Sequence, residues 1–268
     1  MIPKVKRAKQ RRMIPLEVRA NVRLSPSFTR LTLGGQTLSE LTPVGRDHTV
    51  RLFFPREGQT GLWLPSRQND TWMAETLVQP KSRRPWVRNY TVRDHRPADR
   101  EVDIEFALHG DDGPASAWAA RARPGDPAGI FEEGYSYLPP GDAGRQLLVG
   151  DESALPAILS ILATAPATLT GDVFMEVPEA ADIRADLTRP PGVRMHWLPR
   201  DGANSIPGAL ALDAVRTTAD LAAPAYVWAA GESKLATGVR RHLVGDRGIP
   251  RSDIAFIGYW RHGRSSPG

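Results

Sequence analysis

Two short segments carry the side chains best suited to chemistry. The first, residues 88–93, is RNYTVR and combines two guanidinium groups, a phenol and a hydroxyl in one extended run. The second, residues 109–119, is HGDDGPASAWA and predicts a glycine-bearing turn that opens a helix. Guanidinium groups bind phosphate oxygens, aromatic rings offer a flat surface, and helix starts attract anions. Together the segments predict two contact regions for one long, phosphate-bearing cofactor.

The first segment alternates as a strand does. Arg88, Tyr90 and Val92 are expected on one face, and the residues between them and Arg93 on the other. Taken alone, the run fits a simpler interpretation better, an ordinary strand with one core tyrosine and exposed arginines.

The second segment strengthens the cofactor interpretation. Gly110 and Gly113 permit close backbone approach, and Pro114 can begin a helix, predicted over residues 114–122. The free N–H groups and positive dipole end of this helix would face a pyrophosphate. The alternative is a capped turn followed by an ordinary helix with Trp118 in the core.

Composition narrows the class of protein. The chain has 268 residues, a net charge of +5 and no cysteine, which excludes disulfides, thiolate catalysis and cysteine-bound metal clusters. No apolar run approaches the ~20 residues that span a bilayer, so we expect a cytoplasmic protein without a membrane span. The basic start, residues 1–14, is interpreted as a solvated tail in preference to a nucleic-acid contact. The six histidines show no paired ligand spacing, and no protein-bound metal is expected.

The two halves of the chain differ in pattern, and each is predicted to be a domain. The first half predicts strands at residues 15–24, 29–33, 48–54, 88–93 and 102–108, with a long irregular segment at 57–87. The second predicts strands at 146–150, 172–177, 193–198, 226–229 and 254–259, and helices at 153–163, 208–219 and 234–243. Such alternation favours a parallel sheet covered by helices. Ser153 is the expected N-cap of the first of these helices. The predicted domains are residues 15–142 and 143–268.

The ordered set of motifs is more specific than any single one. R-x-Y-T-x-R, followed by H-G-x-x-G-P-A-S-x-W-A, resembles the siderophore-interacting protein family of flavin-dependent ferric-siderophore reductases. Further matches follow in order at residues 149–158, 228–233 and 258–263. The resemblance extends over almost the whole chain, from about residue 15 to residue 263.

The resemblance implies a fold, an activity and a set of contact residues. The fold is an antiparallel Greek-key β-barrel that binds FAD, followed by a parallel-sheet nucleotide-binding domain of the ferredoxin-reductase type. FAD would pass electrons from NADH, NADPH or a ferredoxin to a ferric siderophore and release Fe(II). The implied FAD contacts are Arg88, Tyr90, Thr91, Val92, Arg93, His109, Gly110, Pro114, Ala115 and Ser116. Asp151, Glu152, Ser153 and Ala154 are implied cofactor contacts at the second nucleotide-binding turn.

Charge at the implied sites is unusual in two places. Asp151 and Glu152 would repel a phosphate at a helix start, so a capped helix start is as good an interpretation as a nicotinamide site. The implied substrate-binding residues are Arg51, Arg261 and Arg264. Where the family has a further basic residue, this chain has Glu132 and Glu133, which suggests a less anionic siderophore.

Two other functions compete with the reductase. One keeps the fold without catalysis, as a protein that binds siderophore or flavin. The other is a nucleic-acid-binding module, which the basic tail and the tryptophans suggest; it ranks last because no basic-aromatic module is present.

Overall fold

The computed structural model describes residues 5–7, 11–41, 46–108, 113–141, 144–203, 205–218 and 223–263. They form two compact units. The barrel unit runs from Lys6 to Tyr135, and the α/β unit contains the described residues from Ser136 onwards. Residues 136–141 therefore belong to the α/β unit. The boundary predicted between residues 142 and 143 lies outside the described residues.

The barrel unit is built on a seven-stranded antiparallel sheet. Its strands are β1 Met13–Ser25, β2 Phe28–Gly34, β3 Thr49–Phe54, β4 Trp86–Thr91, β5 Asp94–Arg96, β6 Glu101–Ala107 and β7 Pro127–Gly134. Their order in the sheet is β4-β3-β7-β1-β2-β6-β5. Two helices accompany them, α1 Trp72–Leu77 and α2 Pro114–Arg121.

The sheet curls because its two edges are joined by one short stretch of chain. The edge strand β4 is followed almost directly by the other edge strand, β5. Between them, the Val92 N–H donates to the His48 carbonyl and the Arg93 N–H to the Asp103 carbonyl, both at 2.8 Å. Alternate residues of β1, namely Ile14, Leu16 and Val18, are buried in the core. The predicted barrel-type fold is therefore observed.

The α/β unit is built on a five-stranded parallel sheet of order β10-β9-β8-β11-β12. Its strands are β8 Arg145–Gly150, β9 Thr170–Val177, β10 Gly192–Pro199, β11 Tyr226–Glu232 and β12 Ile254–Trp260. Its helices are α3 Leu155–Ala163, α4 Ala209–Thr217 and α5 Ser233–Gly245. The interior strand β11 is buried along its whole length, as expected for a parallel sheet between helices.

Several sequence-based expectations differ in detail from the structure. Strands β5 and β7 and helix α1 were not expected; α1 lies inside the segment predicted to be irregular. Strand β4 ends at Thr91 and not at Arg93 as predicted. Beyond Thr91 the chain crosses to β6, where the Arg93 N–H donates to the Asp103 carbonyl. The N-cap of α3 is Ala154, not Ser153. The Ser153 hydroxyl is already bonded to the Asp151 carboxylate at 2.6 Å. None of the described helices is both long and apolar enough to cross a membrane.

Candidate functional site

Strand β4 positions the first group of predicted contacts. It pairs with β3, so Arg88 lies opposite Leu52, Tyr90 opposite Val50 and Thr91 opposite Thr49. Leu52 and Val50 are fully buried, so this face of β4 is held against the barrel core. β4 is an edge strand, so its other backbone edge has no strand partner among the described residues.

The polar groups of β4 form a donor set that suits a flavin nucleotide. The Arg88 guanidinium lies 5.1 Å from the centre of the Trp86 ring and donates to the Val87 carbonyl at 2.8 Å. Burial raises the pKa of Tyr90 above its ordinary range, so its phenol stays protonated and can donate. The Thr91 side chain is also buried, and strand alternation directs it to the opposite face from Tyr90. A fixed cation, a phenol and a hydroxyl match phosphate, ribityl and ring oxygens.

The start of α2 supplies the second group. Its N-cap, Gly113, is extended (φ −125°, ψ 129°), and no side chain of the described residues caps the helix. Pro114 occupies the first turn, where its missing N–H costs nothing. Among the described residues, a Cβ at Gly113 would meet only Ser116 Cβ, at 3.9 Å, so Gly113 itself is not crowded. A helix start without a side-chain cap among the described residues is a suitable place for a pyrophosphate.

Aromatic packing fixes the two groups relative to each other within the barrel unit. The Trp118 ring of α2 stacks on Phe54 at 5.0 Å and meets the edge of Phe106 at 6.0 Å. Phe106 in turn contacts the Tyr90 ring at 4.4 Å. The first turn of α2 and the tyrosine of β4 therefore rest on one aromatic cluster, and the residues present fit FAD.

The structure gives less information about the remaining predicted FAD contacts. Val92 is buried in the barrel core, and the Arg93 guanidinium lies 3.7 Å from Glu105. His109 and Gly110 lie outside the described residues. All of these assignments stay predictions.

In the α/β unit, Asp151 is enclosed and strongly bonded. It is fully buried at the carboxyl end of β8. Its Oδ1 accepts from the Ser153 N–H and hydroxyl at 2.9 and 2.6 Å. Its Oδ2 accepts from the Glu232 N–H at 2.5 Å and from the Trp260 indole at 3.2 Å. Burial, followed by the neighbouring Glu152 charge, raises the pKa of Asp151 to about 7.

Glycine makes this enclosure possible. Gly231 has φ of +128°, which other residues rarely adopt, and a Cβ there would lie 2.6 Å from the Asp151 carboxylate. The Asp151 side chain can therefore reach the backbone of β11 only because residue 231 is glycine.

Glu152 is bound by a cation that the sequence analysis missed. Arg200 donates to both Glu152 oxygens at 2.8 and 2.9 Å and to Glu176 Oε1 at 2.8 Å. Glu176 also accepts from the Gly208 and Ala211 N–H groups at the start of α4, at 2.8 and 3.0 Å. Burial alone would lower the pKa of Arg200, but its bonds to Glu152 and Glu176 outweigh burial and raise it.

This network occupies the edge where parallel sheets usually bind ligands. Both acidic side chains of the predicted second turn are used to hold β8, β10, β11 and β12 together at their carboxyl ends. Contacts of Asp151, Glu152, Ser153 and Ala154 with a cofactor stay predictions. The position of Arg200 directly after β10 was the available clue, since residues that follow parallel strands meet at one edge.

The predicted substrate arginines differ in their surroundings. Arg51 Nε lies 2.9 Å from Glu133 Oε1, and Arg11 lies 3.2 Å from the same oxygen. The charge of Arg51 is therefore balanced within the barrel unit. Arg261 is exposed, and Arg264 lies outside the described residues. Their roles in substrate binding stay predictions.

One buried pair was not anticipated from the sequence. His48 and Glu132 are 2% and 4% exposed, with His48 Nε2 3.9 Å from Glu132 Oε1. Burial lowers the pKa of His48 to about 4, with a smaller contribution from His95. Burial raises the pKa of Glu132 to about 7. Glu132 therefore lies inside the barrel and is not a surface replacement for a basic residue; its place after Ile130 in an alternating strand was the missed clue.

Comparison with known proteins covers both units. Residues 17–136 match the siderophore-interacting FAD-binding domain, and residues 143–263 match the siderophore-interacting protein model. Ferric vibriobactin reductase ViuB of Vibrio cholerae is 30% identical over 243 residues, which cover 90% of this chain and 87% of ViuB. The NADPH-dependent ferric-chelate reductase of Escherichia coli is 31% identical over 245 residues, which cover 89% of each chain.

A solved structure extends the match to the whole chain. The crystal structure of a siderophore utilization protein from T. fusca superposes with a TM-score of 0.83 at 31% identity, covering 100% of this chain and 99% of the other. The predicted order of an FAD-binding barrel followed by a parallel-sheet domain is thereby confirmed. This chain belongs to the siderophore-interacting protein family.

Proposed function

We propose that this chain is an FAD-dependent reductase that reduces the iron of a ferric siderophore and so releases Fe(II). The observation that supports this best is the pairing of the β4 donor strand with the start of α2 on one aromatic cluster. The relatives named as ferric reductases support the choice of substrate class. Reduced iron is softer and less charged, so hard oxygen ligands release it more readily.

The protein contributes binding and orientation. Bound FAD would supply the redox chemistry, taking up electrons from a donor and passing them singly to iron. Arg88 would hold a phosphate or ring oxygen by a charge-assisted bond, and the protonated Tyr90 phenol would donate a second bond. The start of α2, at Pro114 and Ala115, would face the pyrophosphate. No side chain needs to act as a general acid or base, because the substrate changes only in oxidation state.

The electron donor is part of the proposal. One relative is named NADPH-dependent, which favours a pyridine nucleotide; a ferredoxin is the second candidate. Activity in the cytoplasm also belongs to the proposal, because a chain without cysteines fits a reducing compartment.

Parallel anaerobic titrations of the FAD-loaded protein with NADH, NADPH and reduced ferredoxin test the donor. We expect one of the pyridine nucleotides to bleach the flavin absorbance. Bleaching by ferredoxin alone would remove the pyridine nucleotide from the proposal. Failure of the protein to retain FAD after reconstitution would overturn the proposal itself.

The same fold without catalysis is the alternative. The fully bonded Asp151 and Glu152 favour it, since they leave the second nucleotide turn without an open anion site. In that case the reduced protein would bind a ferric siderophore without being reoxidised.

A further inference from the structure

Helix α1 carries an apolar surface where a soluble protein normally places polar residues. Its inner side is anchored by Trp72, whose ring meets Phe53 at 5.2 Å and Phe131 at 6.0 Å. Its outer side presents Met73 and Leu77, which are 45% and 60% exposed. The next residue, Val78, is 78% exposed. Single exposed apolar residues are common, but two on a six-residue helix with a third directly after it indicate a contact surface.

Basic residues precede and follow these three apolar residues in the chain. Arg67, Lys81 and Arg83 are exposed on the flanking segments. We define the α1 patch as Met73, Leu77 and Val78 together with these three basic residues.

The two carboxylates close to α1 in the chain, Asp70 and Glu75, already have hydrogen-bond or ion-pair partners within the protein. Asp70 pairs with Arg7 and Arg11 at 2.6 Å each. Glu75 accepts from the Ser66 and Arg67 N–H groups at 3.0 and 3.1 Å. Asp70 and Glu75 are thus bonded within the protein, and no other acidic residue occurs between residues 66 and 84.

Hydrogen bonds hold the far side of the patch in place. The Arg84 guanidinium donates to the Gln79 carbonyl at 2.7 Å and also to the Leu77 carbonyl. Arg56 donates to the Arg84 carbonyl at 2.8 Å, and Gln59 to the Ser82 carbonyl at 2.7 Å. The exposed apolar residues are therefore presented by a fixed segment.

We propose that the α1 patch attaches the protein to the surface of an anionic lipid bilayer. A stable protein partner normally covers about 800 Å² on each side, far more than three side chains on a short helix offer. Attachment to a bilayer requires a smaller contact area, because apolar side chains enter the interface while flanking Lys and Arg bind anionic head groups. Each such cation strengthens attachment about fivefold. Reversible attachment of this kind would place the protein at a membrane surface without a membrane span.

Vesicle sedimentation of the full-length, FAD-loaded protein tests this inference. We expect sedimentation with vesicles that contain phosphatidylglycerol, much less with phosphatidylcholine alone, and release by salt. The double variant Leu77→Ser/Val78→Ser and the double variant Lys81→Glu/Arg83→Glu should each lower the bound fraction at least fivefold.

Matched changes elsewhere serve as controls. Val22→Ser replaces an exposed apolar residue of β1, and Arg216→Glu/Arg241→Glu makes the same charge change on exposed helix faces of the α/β unit. Both should bind vesicles as the wild type does, and all variants should keep their flavin spectrum.

Three outcomes would overturn the proposal. The first is the absence of sedimentation with anionic vesicles, and the second is equal loss in the control variants. The third is a protein dimer that the α1 variants dissociate, which would identify a second copy of the chain as the occupant of the patch.

Discussion

Removing the Arg200 guanidinium should destabilise the α/β unit strongly. Arg200 is 11% exposed and forms ion pairs with both Glu152 and Glu176, which are fully buried. The variant Arg200→Met keeps much of the side-chain volume but leaves two buried carboxylates without their cation. Breaking a buried pair in this way costs about 4 kcal/mol. For a domain of this size, that corresponds to a fall in Tm of roughly 8–16 °C.

Two further variants separate charge from packing. Arg200→Met/Glu152→Gln removes one of the two carboxylate charges that have lost their cation and should recover about half of the lost stability. Arg194→Met removes an arginine that is 60% exposed and lies 2.9 Å from Asp172. Because exposed pairs contribute about 1 kcal/mol or less, this control should stay within roughly 2–4 °C of the wild type.

Thermal unfolding followed by tryptophan fluorescence measures the effect, and hydrogen exchange on peptides from β8, β9 and β10 assigns it to the α/β unit. An Arg200→Met protein that unfolds within the range of Arg194→Met would refute the reasoning. So would a double variant less stable than Arg200→Met alone.

Three further predictions concern the FAD site, a buried acid and a glycine. Arg88→Ala and Tyr90→Ala should each weaken FAD retention about tenfold or more, since charged and buried hydrogen bonds are lost; the flavin-to-protein ratio after dialysis measures this, with Tyr90→Phe as the milder control. In the unfolded chain Glu132 loses its proton near its ordinary pKa of 4.5, whereas in the folded protein it does so only near pH 7. Its contribution to stability therefore falls as the pH rises from 4.5 to 7. Chemical denaturation should therefore find Glu132→Gln more stable than the wild type by roughly 2–3 kcal/mol above pH 7, with no gain below pH 4.5; a gain equal at both pH values would contradict the assignment. Gly231→Ala should cost roughly 1–3 kcal/mol in thermal unfolding, because its Cβ would meet the Asp151 carboxylate 2.6 Å away; an unchanged Tm would refute this.

Local patterns were sufficient to predict most of the strands and the order of the two units. The alternation in residues 102–108 and the helix start at Pro114 both correspond to observed elements. Strand β7 was missed because Glu132 and Glu133 made it look polar. Alternation with Ile130 was the available clue that Glu132 faces the interior, but buried acids are rare, and only the closed sheet shows that this one is buried.

Long-range partners account for the other differences. The sequence suggested that Asp151 and Glu152 conflict with a phosphate, but it did not show what satisfies them. Their partners, Arg200, Trp260 and the Glu232 N–H, are distant in the chain and meet only because parallel strands end at the same edge. When the carboxyl ends of the parallel strands come together, both carboxylates bind protein groups, which explains how two acids can lie at this helix start.

The function itself is tested most directly by reoxidation of the reduced protein. The FAD-loaded protein is photoreduced without oxygen and mixed in a stopped-flow instrument with a ferric siderophore and an Fe(II)-specific dye. We predict that flavin absorbance returns while the dye captures one Fe(II) for each electron that the flavin loses. A flavin that stays reduced in the presence of bound ferric siderophore would contradict the reductase and leave a binding protein of the same fold.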